Sequence, residues 1–315
     1  MRDWQEKCSL TRVNFSPDHQ PKRCAFNTKK VAILLSFVVL VGCSKKPSAE
    51  LAPLEKEAAE GNAHAQLSVG IAYAHGDSVP KDEGKAIEWF QKAAAQGIPK
   101  AQTILGYRYA NGEGVPKDEV KAVEWFQRAA DQGFAESQYN LGVMYDNGRG
   151  VPKDNAKVID WWQKAAAQGY AQAQSNLGLR YDIGRGVPKD DAKAVELYLK
   201  AAEQGNADGQ FNIGFMYANG RGVPKDEIKA VEWWKQAADQ GNAIAQNCLG
   251  VIYAKGRGVP KDDILAYAWL NLAAAQGNNE AATTRDEVEK RMTPEQKKQA
   301  QKLSRELFEK TSKKL

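Results

Sequence analysis

The chain has 315 residues, 26% of them charged and 43% hydrophobic, with a formal net charge of +5. Residues 1–42 hold seven Lys or Arg against three Asp or Glu, so the rest of the chain carries only about +1 and lacks the basic stripe that a nucleic-acid binder needs. Of the four cysteines Cys8, Cys24, Cys43 and Cys248, only the last lies beyond residue 50, which excludes a disulfide framework and any CxxC zinc site.

Residues 1–28 are polar and aperiodic. Lys29-Lys30 then precede ten largely apolar residues, Val31 to Leu40, and small residues lead to Cys43. A positive stretch, a short apolar stretch and small residues before a cut site make a secretory signal. The apolar run is too short to span a bilayer, which takes about 20 residues. Leu40-Val41-Gly42-Cys43 resembles the lipobox of bacterial lipoprotein precursors. That resemblance implies removal of residues 1–42, a diacylglycerol on the Cys43 thiol, and a tether over 43–53. Ser44 rather than Asp follows the cysteine, which favours the outer membrane, with the protein facing the periplasm or the cell surface. The 28 residues ahead of Lys29 depart from the family's pattern and point to a misplaced start codon or an extended leader.

Val-Pro-Lys-Asp recurs at 79–82, 115–118, 151–154, 187–190, 223–226 and 259–262, a spacing of 36 residues with no insertion. A unit of that size cannot bury a core alone, so the units must stack into one array. Each holds two helical patterns. The second pattern, about Asp118 to Asp131 in one unit, puts Ala122, Val123, Trp125, Phe126, Ala129 and Ala130 on one wide apolar face. Seven of the eight tryptophans fall in its two aromatic columns, which are read as core. The first pattern, about Ala101 to Ala110, repeats Gln at 66, 102, 138, 174, 210 and 246, Gly at 70, 106, 142, 178, 214 and 250, and Tyr three residues after each Gly, from Tyr73 to Tyr253. Helical glycine costs about 1 kcal/mol, so a close helix crossing is expected there. Asp118 and its equivalents are expected to cap the second helices.

The pattern A-Q-x-x-L-G-x-x-Y-x-x-G-x-G-V-P-K-D-x-x-K-A-x-x-W-x-x-x-A-A-x-Q-G resembles the Sel-one-like repeat, a relative of the tetratricopeptide repeat. The resemblance implies an all-α fold: a right-handed superhelical solenoid of six 36-residue helix-turn-helix repeats over 54–277. Residues 278–315 are expected to form C-terminal capping helices, the last opened by a capping box at Thr293-Pro294-Glu295-Gln296. The first unit departs from the pattern, with His75-Gly76-Asp77-Ser78 in its loop.

Catalytic constellations are hard to assemble. No HExxH, Cys/His cluster or Ser/His/Asp set is present, and no metal or cofactor is expected. Ser78-Val79-Pro80-Lys81 matches S-x-x-K without its companion K-T-G. Disulfide-rich relatives of the repeat family are linked to β-lactam binding or hydrolysis, so a β-lactamase-like or penicillin-binding hydrolase is the alternative reading. The leading reading is a non-catalytic interaction or scaffold module, monomeric and membrane-bound through Cys43, holding a protein or peptide partner and no nucleic acid. Its candidate site is the varied face of the first helices, which the resemblance places in the concave groove: Glu136, Tyr139, Asn140, Gln172, Asn176, Asp208, Phe211, Asn212 and Phe215. Asn140, Asn176 and Asn212 form one amide per unit, able to donate to and accept from a peptide backbone. The other reading of these side chains is packing between units.

Overall fold

The computed structural model describes residues 51–312, which form fifteen helices and no strand. The leader, Cys43 and most of the tether lie outside the described residues. The described chain falls into two compact units, 51–154 and 155–312. The first contains α1 (Leu51–Ala59), α2 (Ala63–His75), α3 (Glu83–Ala95), α4 (Pro99–Asn111), α5 (Glu119–Asp131) and α6 (Ala135–Asn147). The second contains α7 (Asn155–Ala167), α8 (Ala171–Ile183), α9 (Asp191–Glu203), α10 (Ala207–Asn219), α11 (Glu227–Ala238), α12 (Ala243–Lys255), α13 (Asp263–Ala275), α14 (Asn279–Lys290) and α15 (Pro294–Ser312).

Every helix pair is joined by the same turn. In the second repeat Gly112 closes α4 in the left-handed conformation, φ 75°, and its N–H returns to the Arg108 carbonyl. The Asp118 N–H donates to the Tyr109 carbonyl at 2.8 Å, and its carboxylate accepts from the Lys121 N–H at 3.0 Å to cap α5. The aspartate-to-tyrosine bond recurs in all six repeats, at 2.8–3.3 Å. Val-Pro-Lys-Asp is therefore a structural hinge of fixed geometry. The second loop glycine lies against the preceding second helix: a Cβ on Gly222 would sit 2.5 Å from the Asp191 carbonyl oxygen. In the first repeat Ser78 occupies that place with φ 65°, the one non-glycine residue at positive φ among the described residues. A left-handed L-residue is strained by roughly 1–2 kcal/mol. Ser78→Gly is accordingly expected to raise the urea midpoint, a gain of up to about 1 kcal/mol after the added chain entropy of glycine.

The two aromatic columns behave differently. Phe90, Phe126, Trp162, Tyr198, Trp234 and Leu270 are at most 3% exposed. Phe90, Phe126, Tyr198, Trp234 and Leu270 press on the glycine of the first helix of their own repeat, and a Cβ on Gly106 or Gly214 would come within 2.6 or 2.7 Å of the Phe126 or Trp234 ring. The other column, expected in the core as well, is half-buried at Trp89, Trp125 and Trp161. Its outer faces are covered by the cation three residues on: Lys92 at 4.1 Å, Arg128 at 4.5 Å and Lys164 at 4.2 Å from the ring centroids.

The repeated glutamine holds neighbouring second helices together. Gln102 Nε2 donates to the Ala94 carbonyl at the end of α3 at 3.1 Å, and its Oε1 accepts from Gln132 Nε2 beyond α5 at 2.8 Å. Gln66, Gln174, Gln210 and Gln246 make the same pair of bonds. All are at most 5% exposed, so each is a buried polar group with its needs met inside the array. Charged struts add to this. Arg149 donates to Glu119 at 2.8 Å and to the Ala110 carbonyl at 3.1 Å, while Arg221 bridges Asp182 and Asp191. Hydrogen bonds from Lys117 and Arg149 hold the Glu119 carboxyl below its usual range. Burial raises Asp191, but Arg221 and Lys189 together outweigh it and the net shift is downward.

Both ends of the array are incomplete repeats. Leu51, Leu54 and Ala58 stand 36 residues before Ile87, Phe90 and Ala94, so α1 is the second helix of a unit that precedes the first full repeat. It buries Leu51 and Ala58 against Ala65 and Val69. Residues 51–53, expected in the tether, thus belong to the fold, and Pro53 is tolerated because first-turn amides have no intrahelical acceptor. At the other end α14 stands in first-helix register, with Ala281 fully buried. Arg291 takes the strut role, donating to Asp263 and to the Ala254 carbonyl. Thr293 and Gln296 exchange their reciprocal bonds at 2.9 and 3.2 Å, opening α15.

Candidate interaction surface

The framework positions are spent on packing, which leaves the varied columns of the first helices as the candidate surface. In the first unit those columns form much of the seam between α4 and α6. Lys100 pairs with Glu136 at 3.0 Å, and the hydroxyls of Thr103 and Ser137 lie 2.6 Å apart. Asn140 is 9% exposed, and its Nδ2 donates to the Tyr107 hydroxyl at 2.6 Å and to the Glu136 carbonyl at 2.8 Å. Both of its amide hydrogens are therefore engaged. Tyr139 is half-buried beside it.

The second unit presents more open side chains. Gln172 and Asp208 are exposed, and Asn176 and Asn212 are half-buried. Asp208 accepts a long bond from Asn242 at 3.4 Å. Phe211 and Phe215 are half-buried against the core formed by α11 to α13, and Phe215 also touches the core of α9 and α10. The Phe211 carbonyl accepts from the Trp234 indole at 3.0 Å, which ties the backbone of α10 to the aromatic column. The nine candidates thus divide. Glu136 and Asn140 are bound into a seam of the first unit with Tyr139 half-buried beside them, while Gln172, Asn176, Asp208, Phe211, Asn212 and Phe215 share the varied face of α8 and α10. Sequence spacing equates Asn140, Asn176 and Asn212; it carries no record of Tyr107, whose hydroxyl takes the first of them inward.

Other chemistry is sparse. Among the described residues no group of three or more His, Cys, Asp or Glu side chains is placed to hold a metal ion, and no helix is long and apolar enough to cross a membrane. Lys81 is paired with Glu83 at 2.7 Å, and Ser78 sits exposed in the strained turn; no hydrogen bond joins Ser78 to Lys81. Cys248 is fully buried in the second unit.

Helix pairs joined by a fixed turn, with glutamine and glycine at constant stations, define an all-α repeat protein. The Sel1 repeat family matches residues 63–98, 99–134, 135–170, 171–206, 207–242 and 243–278, and the chain belongs to that family. A Sel1 repeat protein from Oxalobacter formigenes is 39% identical, with 72% of this chain and 93% of that one covered and a TM-score of 0.68. A protective antigen of uropathogenic Escherichia coli with the same repeat fold is 30% identical over 83% of this chain and 72% of that one, with a TM-score of 0.39. A cysteine-rich protein of Helicobacter pylori is 28% identical over 42% of this chain and 96% of that one, with a TM-score of 0.35. No curated protein matches the chain significantly. Sel1 repeat proteins are generally protein-interaction scaffolds.

Proposed function

We propose that this chain is a non-catalytic scaffold of the bacterial envelope, lipid-anchored at Cys43, which holds a peptide or protein partner on the varied face of α8 and α10. One observation carries the partner reading. The constant positions of each repeat are consumed by hydrogen bonds and ring packing, whereas Gln172 and Asp208 remain exposed beside the half-buried Asn176, Phe211, Asn212 and Phe215. Amides that can pair with a peptide backbone, next to partly open aromatic rings, suit an extended segment bearing apolar side chains. The basic signal region and the Leu-Val-Gly-Cys sequence support the anchor, with the outer membrane as its place.

Two experiments test this reading. Replacing Asn176 and Asn212 together by Ala is expected to strip the specifically captured partner from envelope extracts by at least about tenfold. The thermal midpoint should stay nearly unchanged, because both side chains are partly open. An equal loss of fold stability would instead assign the pair to packing. Metabolic labelling with a lipid precursor should mark the wild-type protein and not Cys43→Ala; label that survives the substitution would end the anchor.

A further inference from the structure

The last repeat departs from the others on the second-helix side. Where they carry Lys92, Arg128, Lys164, Lys200 and Gln236, the first three lying over tryptophan rings, the equivalent residue is Leu272, only 5% exposed. The difference follows from α15, which runs over this face. Leu307 packs on the core that contains Trp269 and Leu272, and Lys310 pairs with Asp239 at 2.7 Å. The covering is incomplete. Between α13 and α15 lies an open cleft of about 380 Å³, where Leu272, Ala275 and Phe308 give an apolar surface rimmed by Asn271, Gln301, Ser304 and Arg305. Phe308 stands at its edge with 61% of its surface exposed, so a bare aromatic knob and an apolar hole share one patch.

A knob beside a hole is self-complementary under a two-fold axis, where the same patch serves both copies. The charges on α15 select the direction of approach. Arg305 and Glu309 lie on the exposed face with Phe308, one turn apart. Neither makes an ion pair or hydrogen bond with another described residue. Arg preceding Glu by four residues is also the weaker orientation for pairing within a helix. Two α15 helices crossing antiparallel near Phe308 would set Arg305 of each copy against Glu309 of the other, whereas a parallel approach sets like charges together.

We propose that this cleft is a self-association site, in which a second copy of the chain inserts its Phe308 and pairs its Glu309 with Arg305. The inference is independent of the partner face on α8 and α10. The patch is small against the roughly 1,200–2,000 Å² of a stable interface, so the dimer is weak and concentration-dependent.

Sedimentation equilibrium of the full chain in a single non-ionic detergent, across a wide concentration range, tests it. The wild type should rise from the mass of one chain towards two. Phe308→Glu should stay at one, with unchanged helical circular dichroism and thermal midpoint because the ring is exposed. Arg305→Glu should weaken the dimer by about tenfold, and Arg305→Glu combined with Glu309→Arg should restore it. A wild type that stays monomeric throughout, or a Phe308→Glu protein that dimerises equally well, would overturn the proposal. Failure of the double exchange to restore association would overturn the antiparallel pairing.

Discussion

Gly214→Ala is expected to destabilise the protein by about 1–3 kcal/mol, the range for forcing an extra carbon into a packed core. The added Cβ would lie 2.7 Å from Cδ1 and Nε1 of Trp234 and 3.1 Å from the Ala230 carbonyl oxygen. The indole cannot retreat easily, since it is fully buried and donates to the Phe211 carbonyl at 3.0 Å. Helix propensity alone predicts the opposite sign, a gain of about 1 kcal/mol for Gly to Ala in a helix. Gly84→Ala supplies the control. It lies in the first turn of α3, where the nearest atom to a new Cβ is the Asp82 carboxylate oxygen at 3.5 Å. There the propensity gain should survive, as a stabilisation of about 0.5–1 kcal/mol. Urea unfolding of the two variants should move in opposite directions; parallel shifts would show that the ring contact does not set the position.

Gln246→Glu is expected to cost more, about 3 kcal/mol or above at neutral pH. Gln246 is 1% exposed, donates to the Ala238 carbonyl at 3.1 Å and accepts from Gln276 at 2.8 Å. A carboxylate keeps the acceptor role and loses the donor, so an ionised oxygen would face the carbonyl across a buried contact. Burial and that repulsion raise the folded-state pKa of the new acid above its unfolded value. The unfolded state then sheds its proton first, and the variant loses stability as pH rises above about 4.3, the ordinary glutamate pKa. At lower pH the protonated acid can donate again. The gap to wild type should therefore narrow below about pH 4 and widen towards neutrality. Gln246→Leu separates the charge from the lost bonds: it should cost less than the acid and show no such widening.

The parts of this fold legible in the sequence are those written locally and repeated. The 36-residue spacing, the apolar face of the second helices, the aspartate caps and the terminal capping box all follow from short-range rules that six copies reinforce. The ends were harder to read because they keep the register while losing the residues. Pro53 stands where Trp89 would, and Arg285 where Leu249 would, so the first half-unit keeps few of the repeated residues, such as Ala58 and Gly61, and the last keeps Asn278 and Ala281. Leu272 was a usable signal for the covering helix, since an apolar residue stands where the other five repeats carry Lys, Arg or Gln.

The candidate surface was legible only in outline. Variation among repeats separates framework from free face, but a side chain on the varied face can still be drawn into a seam. Asn140 is one such case, taken by Tyr107 on the neighbouring first helix. At Asn212, within the second unit, the station of Tyr107 is held by Leu179, which has no hydroxyl to offer. The glutamines show the converse. Their invariance was plain, yet their double role between successive second helices depends on residues eight back and thirty ahead.

In the proposed function the repeated positions build the frame and the varied face of α8 and α10 does the binding. Titration calorimetry of the captured partner against the wild type, the Asn176→Ala/Asn212→Ala protein and Gly84→Ala tests it most directly. The account predicts at least about tenfold weaker binding for the face variant at an unchanged thermal midpoint, and unaltered binding for the stabilised frame variant. Equal affinity of all three proteins, or a loss that tracks the thermal midpoint, would contradict it.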